Sequence, residues 1–459
     1  MTGRKLHFAD ALLPTGWQRD VAVVIDGKGT ITDVVPGSDV AGAERIAGIA
    51  VAGMANVHSH AHQRAMAGLA ETAGPGEDSF WTWRETMYGF ALKMTPDDLE
   101  AVAAQLYVEA LKAGFTSIGE FQYLHHAPDG RPYDAPAEMS LRCLAAAETA
   151  GIAITLLPTL YRDGGFGSAA AAPGQRRFVN DLDRFLRITG DLDKTVRDRP
   201  LAQLGIAPHS LRAVAPDLLA DAIVGLDGMR PGAPVHIHVA EQVKEVEDCL
   251  AFSGRRPVEL LASMQTLSPR WCLIHATHMT GPETEALAAS RAVAGLCPTT
   301  EANLGDGTFN ARAFLAAGGT IAIGSDSHIS VSPAEDLRQL EYSQRLQLRA
   351  RNVLADGPGA STGRSLFDAA ANGGAQALAQ KTGRLAAGFR ADIVVLDGEH
   401  PALCGRSGDG ILDSWIFSGG NPCVKDVFVA GRQVVKDRRH ADEPAIAERF
   451  RSALGRLKS

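Results

Sequence analysis

The chain has 459 residues, 45% hydrophobic and 21% charged, with a formal net charge of −8. That length exceeds one small domain and suits a large barrel with an accessory domain. The acidic balance, with no Lys/Arg run reaching five residues, excludes nucleic acid as an expected partner, and no apolar run approaches the roughly 18 residues of a membrane span.

The opening residues Met1-Thr2-Gly3-Arg4-Lys5-Leu6-His7 lack the apolar core of a signal peptide. The six cysteines, at 143, 249, 272, 297, 404 and 423, form no C-x-x-C pair. Both features predict a cytoplasmic protein with scattered reduced thiols.

Residues 1–50 read as short strands and turns. Val21-Ala22-Val23-Val24-Ile25 is β-branched and closes on Asp26-Gly27, a hairpin signal. The C-terminal stretch repeats that pattern. Ala391-Asp392-Ile393-Val394-Val395-Leu396 precedes Asp397-Gly398, and Val427-Phe428-Val429 precedes Ala430-Gly431. Two β-rich ends around a long middle predict a composite β-sandwich domain from 1–50 and 383–445, followed by a C-terminal helix over 446–459.

The middle, 51–382, alternates strand and helix signals. Eight candidate strands fall at 49–57, 117–121, 152–157, 201–207, 235–239, 271–274, 292–296 and 320–323. The best-marked helix has Thr95 as N-cap, Pro96 at its first position, Asp98 in its first turn and Gly114 as its stop. Eight strand–helix units predict an α/β fold, a TIM-type (β/α)8 barrel with insertions, whose chemistry sits at the C-terminal ends of the strands.

The chemistry-bearing residues fall at those ends. His58-Ser59-His60 closes the first strand, and histidines two apart share a face. Bare H-x-H spacing fits surface or core histidines as well as ligands; the strand end turns the reading toward metal. His236-Ile237-His238-Val239-Ala240-Glu241 closes the fifth strand. His238 is nearer the mouth, His236 reads as a barrel histidine below it, and Glu241 follows as a candidate general acid/base. His275 closes the sixth strand, with His278 as a loop residue. Asp326 closes the eighth after a buried apolar run. A metal would satisfy it, as would a hydrogen bond to Ser325, Ser327 or a barrel histidine. His328, just beyond, is expected to reach solvent. Three His and one Asp suit zinc or ferrous iron. The fourth strand ends Ile206-Ala207-Pro208-His209, with no Lys for a bridging carbamate, which predicts one divalent ion per chain.

These residues resemble the amidohydrolase superfamily: H-x-H after strand 1, His after strands 5 and 6, Asp after strand 8, and a return through Thr382-Gly383-Arg384-Leu385 into the β-domain. Within it, the chain is similar to the deiminases that hydrolyse N-formimidoyl-L-glutamate to N-formyl-L-glutamate and ammonia in histidine degradation. Asn56 through Arg64, Ser79-Phe80-Trp81-Thr82-Trp83-Arg84-Glu85, Phe121 through His126, Pro208-His209-Ser210-Leu211-Arg212 and Gly324-Ser325-Asp326-Ser327-His328 carry that similarity. The resemblance implies His58, His60, His238 and Asp326 as ligands of a Zn2+ or Fe2+ ion. It implies Glu241, His275 and Asp326 as catalytic residues, and Gln63, Arg84, Tyr123, His209 and Arg212 as contacts to a small dicarboxylate substrate. It also implies a homodimer. One departure is Gln122, where the family pattern has a histidine before the tyrosine.

Without the resemblance, Gln63 and Tyr123 are ordinary polar residues, Arg84 can stack on its neighbouring aromatics, and Arg212 can be a solvated loop arginine. A ring deaminase acting on a purine, pyrimidine or triazine is the competing enzyme reading, and predicts a flat apolar pocket instead of two cationic anchors. A catalytically silent barrel scaffold is the competing non-enzyme reading.

Overall fold

The computed structural model describes residues 3–74, 76 and 78–458. Met1, Thr2 and Ser459, which belong to the expected terminal segments, lie outside them. The N-terminal segment supplies β1 (Arg4–Leu13), β2 (Gly16–Ile25), β3 (Ile31–Val35) and β4 (Glu44–Ala52). The barrel strands are β5 (Met54–Ser59), β6 (Phe115–Gln122), β7 (Ala153–Leu160), β8 (Ala202–Leu204) with β9 (Ala207–Pro208), β10 (Val235–Val239), β11 (Trp271–His275), β12 (Val293–Leu296) and β13 (Thr320–Ile323). The chain then returns through β14 (Ile393–Leu396), β15 (Val424–Val429), β16 (Arg432–Lys436) and β17 (Arg439–His440).

The two ends meet as expected, in one continuous sheet of eight strands ordered β17-β16-β15-β14-β4-β1-β2-β3. Side-chain alternation gives that sheet two apolar faces. Leu6, Phe8, Val21, Val23, Ile393, Val395 and Phe428 form a core of their own, while Leu12, Val51, Val394 and Val427 join the barrel's core. The sheet curls around the smaller core. Ile31 N–H donates to Phe389 O at 2.8 Å and Ala391 N–H to Gly29 O at 2.9 Å, tying the β2–β3 hairpin to the chain entering β14. The sandwich-like unit is therefore a single sheet folded over itself.

The barrel is made of two parallel arcs, β5-β6-β7-β8 and β10-β11-β12-β13, with β9 paired to β7. Single bridges close its seams: Ile206 to Val235 and Ser210 to His238 on one side, Ser59 to Asp326 on the other. The expected strand 49–57 is two strands. The chain leaves the outer sheet after Ala52 and enters the barrel at Met54. Gly53 allows the turn-over, because a Cβ there would stand 2.3 Å from Thr116 Cγ2. Residues 49–52 at the end of β4 and all of β5 are buried on both faces, so the apolar run carries no break in its pattern.

Helix α1 (Phe80–Ala91) starts on a capping box at Ser79. Helix α2 (Pro96–Ala113) has Thr95 accepting from Asp98 N–H, Pro96 in its first turn and Gly114 at φ 106 as its stop. The terminal helix, Glu443–Lys458, docks on α2 through ion pairs of Arg456 with Asp98 and Lys112 with Glu443. No helix among the described residues is long and apolar enough to cross a membrane.

Candidate active site

Strand ends at the barrel mouth assemble the floor of the site. Asp326 N–H donates to His58 O at 3.0 Å and His60 N–H to Asp326 O at 3.4 Å, so β13 is zipped onto the H-x-H segment. Gly324 permits this approach, since a Cβ there would lie 2.7 Å from His58 Cβ. Ala240 (φ 54), His275 (φ 69) and Asp326 (φ 45) all adopt the left-handed region. Non-glycine residues rarely go there, and such strain concentrates at working sites.

Backbone carbonyls set the rings. His60 Nδ1 donates to Phe121 O at 2.8 Å and His238 Nδ1 to His209 O at 2.9 Å. That fixes both tautomers with the Nε2 lone pair facing inward. Nε2 of His58 stands 3.0 Å from Nε2 of His238 and 3.5 Å from Asp326 Oδ1, and Nε2 of His60 lies 3.5 Å from the same oxygen. Burial pushes the pKa of His58 and of His238 well below the usual histidine range and lowers that of His60, which favours neutral imidazoles. His58, His60 and Asp326 bring donor atoms within 4.8 Å of one another, His58, His238 and His275 do the same, and all are buried, so imidazole nitrogens and a carboxylate oxygen stand where a divalent cation of the zinc type fits.

His275 stands beside this cluster. Its Nδ1 donates to Glu301 Oε1 at 3.2 Å, and its Nε2 faces Glu241 Oε1 and Asp326 Oδ2, each at 3.8 Å. Burial opposes a charge on His275, but Glu241, Glu301 and Asp326 push its pKa up to about 10. Glu241 is 5% exposed, and burial raises its pKa, favouring the protonated form a general acid needs.

The wall above the floor contains all five expected substrate contacts. Gln63, Arg84, Tyr123, His209 and Arg212 line one pocket together with His60, His238, Glu241, His275 and Asp326. His58 lies beneath, fully buried. Gln63 Nε2 donates to Tyr123 Oη at 2.7 Å. The Arg84 guanidinium does stack, 4.6 Å over Trp81 and 5.4 Å over Tyr88, yet it still faces the pocket of its own chain. Arg212 is no solvated loop arginine, since its side chain is 14% exposed. Burial works against its charge, but Glu245 and Glu241 hold its pKa above the usual value. Nε of Arg84 and Nε of Arg212 are both buried without a hydrogen-bond partner.

Other histidines are placed elsewhere. His236 Nε2 donates to Ala377 O at 2.8 Å, away from the cluster, and His278 bonds Asp306 O at 2.8 Å. His328 does not reach solvent. It is fully buried between Ser325 Oγ (2.9 Å) and Ser59 Oγ (3.1 Å), because the bridge of Asp326 to β5 folds the next turn back under the mouth. Gln122 points the other way from the site. Its Oε1 accepts Leu124 N–H at 3.1 Å, and its Nε2 reaches Met139 O and Cys143 Sγ at 3.5 Å in the helix layer.

Sequence reasoning missed Glu301, Tyr161 and Phe178. Glu301 lies in the first turn of the helix Pro298–Leu304, where Pro298 marks the start after β12. Tyr161 follows directly on β7, so the strand-end rule applied to that strand finds it. Phe178 sits in the long connection after β7 and has no local signal.

The fold and this floor fit a hydrolase of the barrel type with a candidate metal centre, and the comparisons with known proteins give its family. The chain belongs to the amidohydrolase family, whose model matches residues 49–434. Residues 4–48 match a second model, described as the N-terminal domain of formimidoylglutamate deiminase HutF. Formimidoylglutamate deiminase of Pseudomonas aeruginosa is 52% identical over 448 residues, 97% of this chain and 98% of that protein. The crystal structure of an amidohydrolase from Brucella melitensis superposes with a TM-score of 0.94 at 53% identity, covering 99% of this chain and 100% of that one. An adenosine deaminase from Xanthomonas campestris, solved with bound zinc, shares the fold at a TM-score of 0.83 and 20% identity, over 100% of this chain and 99% of that one.

Proposed function

We propose that this chain hydrolyses N-formimidoyl-L-glutamate to N-formyl-L-glutamate and ammonia, a step of histidine degradation. The carrying observation is the pairing, in one pocket, of a buried His/Asp cluster with two arginines whose Nε atoms lack partners. A substrate with two carboxylates supplies the hydrogen-bond acceptors those Nε atoms lack, since the Glu245 carboxylate behind Arg212 stands 4.0 Å away, beyond hydrogen-bond reach. The 52% identical deiminase supports the same substrate.

His58, His60, His238 and Asp326 would hold one divalent ion, Zn2+ or alternatively Fe2+, which supplies Lewis-acid activation of water. The Asp326 carboxylate takes a proton from the attacking water. His275, oriented by Glu301, donates through Nε2 and steadies the negative charge on the attacking oxygen as it adds to the formimidoyl carbon. Water oxygen bonds to that carbon while Glu241 gives a proton to the imino nitrogen; the proton held by Asp326 then passes to the same nitrogen, the C–N bond breaks, ammonia leaves, and the new hydroxyl returns its proton to Glu241 as the formyl carbonyl forms. Arg84 and Arg212 hold the glutamate carboxylates, with Gln63, Tyr123 and His209 orienting the rest. The proposal extends to a cytoplasmic homodimer.

An ammonia-release assay over N-formimidoyl-L-glutamate, guanine, cytosine and adenosine tests the reading. Turnover of the formimidoyl compound is expected. Preference for a ring substrate would overturn the proposal.

A further inference from the structure

Glu245 lies in the first turn of the helix Val243–Ser253, 1% exposed, behind Glu241. Its Oε1 accepts Ala240 N–H at 3.2 Å, and its Oε2 accepts Glu241 N–H at 3.1 Å. The same Oε2 stands 4.0 Å from Nε of Arg212. Ala240 is held at φ 54, a left-handed conformation that an alanine rarely adopts and that persists only where neighbours enforce it. The two N–H bonds to Glu245 are such an enforcement, and the start of a helix favours the carboxylate that makes them. One buried carboxylate therefore fastens the backbone carrying the candidate proton donor and faces the candidate substrate cation.

We infer that Glu245 is a positioning residue serving both halves of the site: it sets Glu241 for proton delivery and Arg212 for carboxylate capture. This rests on the reading that Arg212 holds a substrate carboxylate. Glu245 touches neither the floor ligands nor the pocket lumen, so its effect on the reaction passes through the other two residues. Its arrangement also explains why Arg212 keeps its charge in a buried place: the counter-charge behind it is part of the protein and leaves the pocket side free for substrate.

The test uses the full-length, metal-loaded enzyme and steady-state kinetics on N-formimidoyl-L-glutamate. Glu245→Gln keeps the shape and one acceptor oxygen but removes the charge. KM should rise and kcat should fall, each on the order of 10-fold, with metal content unchanged. In an Arg212→Met background the KM effect should vanish while the kcat effect persists, because only the first passes through the arginine. Glu245→Asp, which keeps the charge on a shorter arm, should spare KM and lower kcat; it carries the test if the glutamine variant does not fold. A Glu245→Gln enzyme with both constants within about twofold of wild type, or a KM rise undiminished by Arg212→Met, would overturn the inference alone. Wild-type silence toward N-formimidoyl-L-glutamate would sink the substrate reading and this inference together.

Discussion

The floor and the wall of the pocket are built on opposite principles. Floor residues sit on or next to barrel strands, and their rings are fixed by main-chain carbonyls, as His60 is by Phe121 and His238 by His209. Their geometry depends little on side-chain chance, because strand backbones are the most rigid part of the fold. Wall residues come from helix α1 and from the turns after β5, β6 and β9, and two of them, Arg84 and Arg212, keep buried Nε atoms without a hydrogen-bond partner. On the proposed reading the floor takes a cation and the wall takes an anion. The difference separates chemistry from recognition, and variants should divide along the same line.

The largest expected effect belongs to the floor. His60→Ala removes one donor of the cluster, and should abolish detectable turnover while metal content falls from about one equivalent per chain. Elemental analysis beside the ammonia assay checks both; normal metal content with lost activity would show that His60 is not a ligand. Glu241→Gln comes next. It should lower kcat by roughly 10²–10⁴-fold with metal retained, since only the titrating group is lost. Near-normal turnover would remove Glu241 from proton delivery.

Wall variants should shift recognition. Arg212→Met keeps the apolar stem, leaves the metal in place and should cost about 2 kcal/mol or more in kcat/KM, mainly through KM. Arg212→Lys should recover only part, because an ammonium lacks the planar fork. Comparing N-formimidoyl-L-glutamate with a formimidoyl compound lacking one carboxylate sharpens the result. If Arg212→Met handles the two as differently as wild type does, the arginine reads neither carboxylate.

The same division explains what the sequence disclosed. Barrel strands show as β-branched runs, and a His or Asp at the end of such a run is conspicuous, so the floor's members stand out before any contact is known. The break at Gly53 does not, because residues 49–52 and β5 are buried on both faces and form one apolar run. The burial of His328 depends on Ser59, far away in sequence, and was invisible for that reason. The pairs Glu245 with Arg212 and Glu301 with His275 form only because the closed barrel brings them together, and Phe178 reaches the pocket from a long connection. Local pattern reports what a residue is and which face it takes, but not which distant neighbour it will meet.

The smallest expected effect on catalysis is at Gln122, the one departure from the family pattern. Strand alternation puts Phe121 against the candidate ligand rings, 5.0 Å from His58, and sends Gln122 to the opposite face. There its Oε1 accepts Leu124 N–H, while its amide reaches Met139 O and Cys143 Sγ in the helix Glu138–Ala150. The residue belongs to neither floor nor wall, so its identity should matter to stability alone. Gln122→Leu leaves the Leu124 N–H without its acceptor, and an unsatisfied buried donor costs roughly 1–3 kcal/mol. Thermal unfolding should therefore shift downward, while kcat and KM for N-formimidoyl-L-glutamate stay within about twofold of wild type. Both are read from one preparation, by a melting curve and by initial rates of ammonia release. A large change in kcat at unchanged Tm would mean that the outer face of β6 communicates with the ligand rings, and that floor and helix layer are not independent.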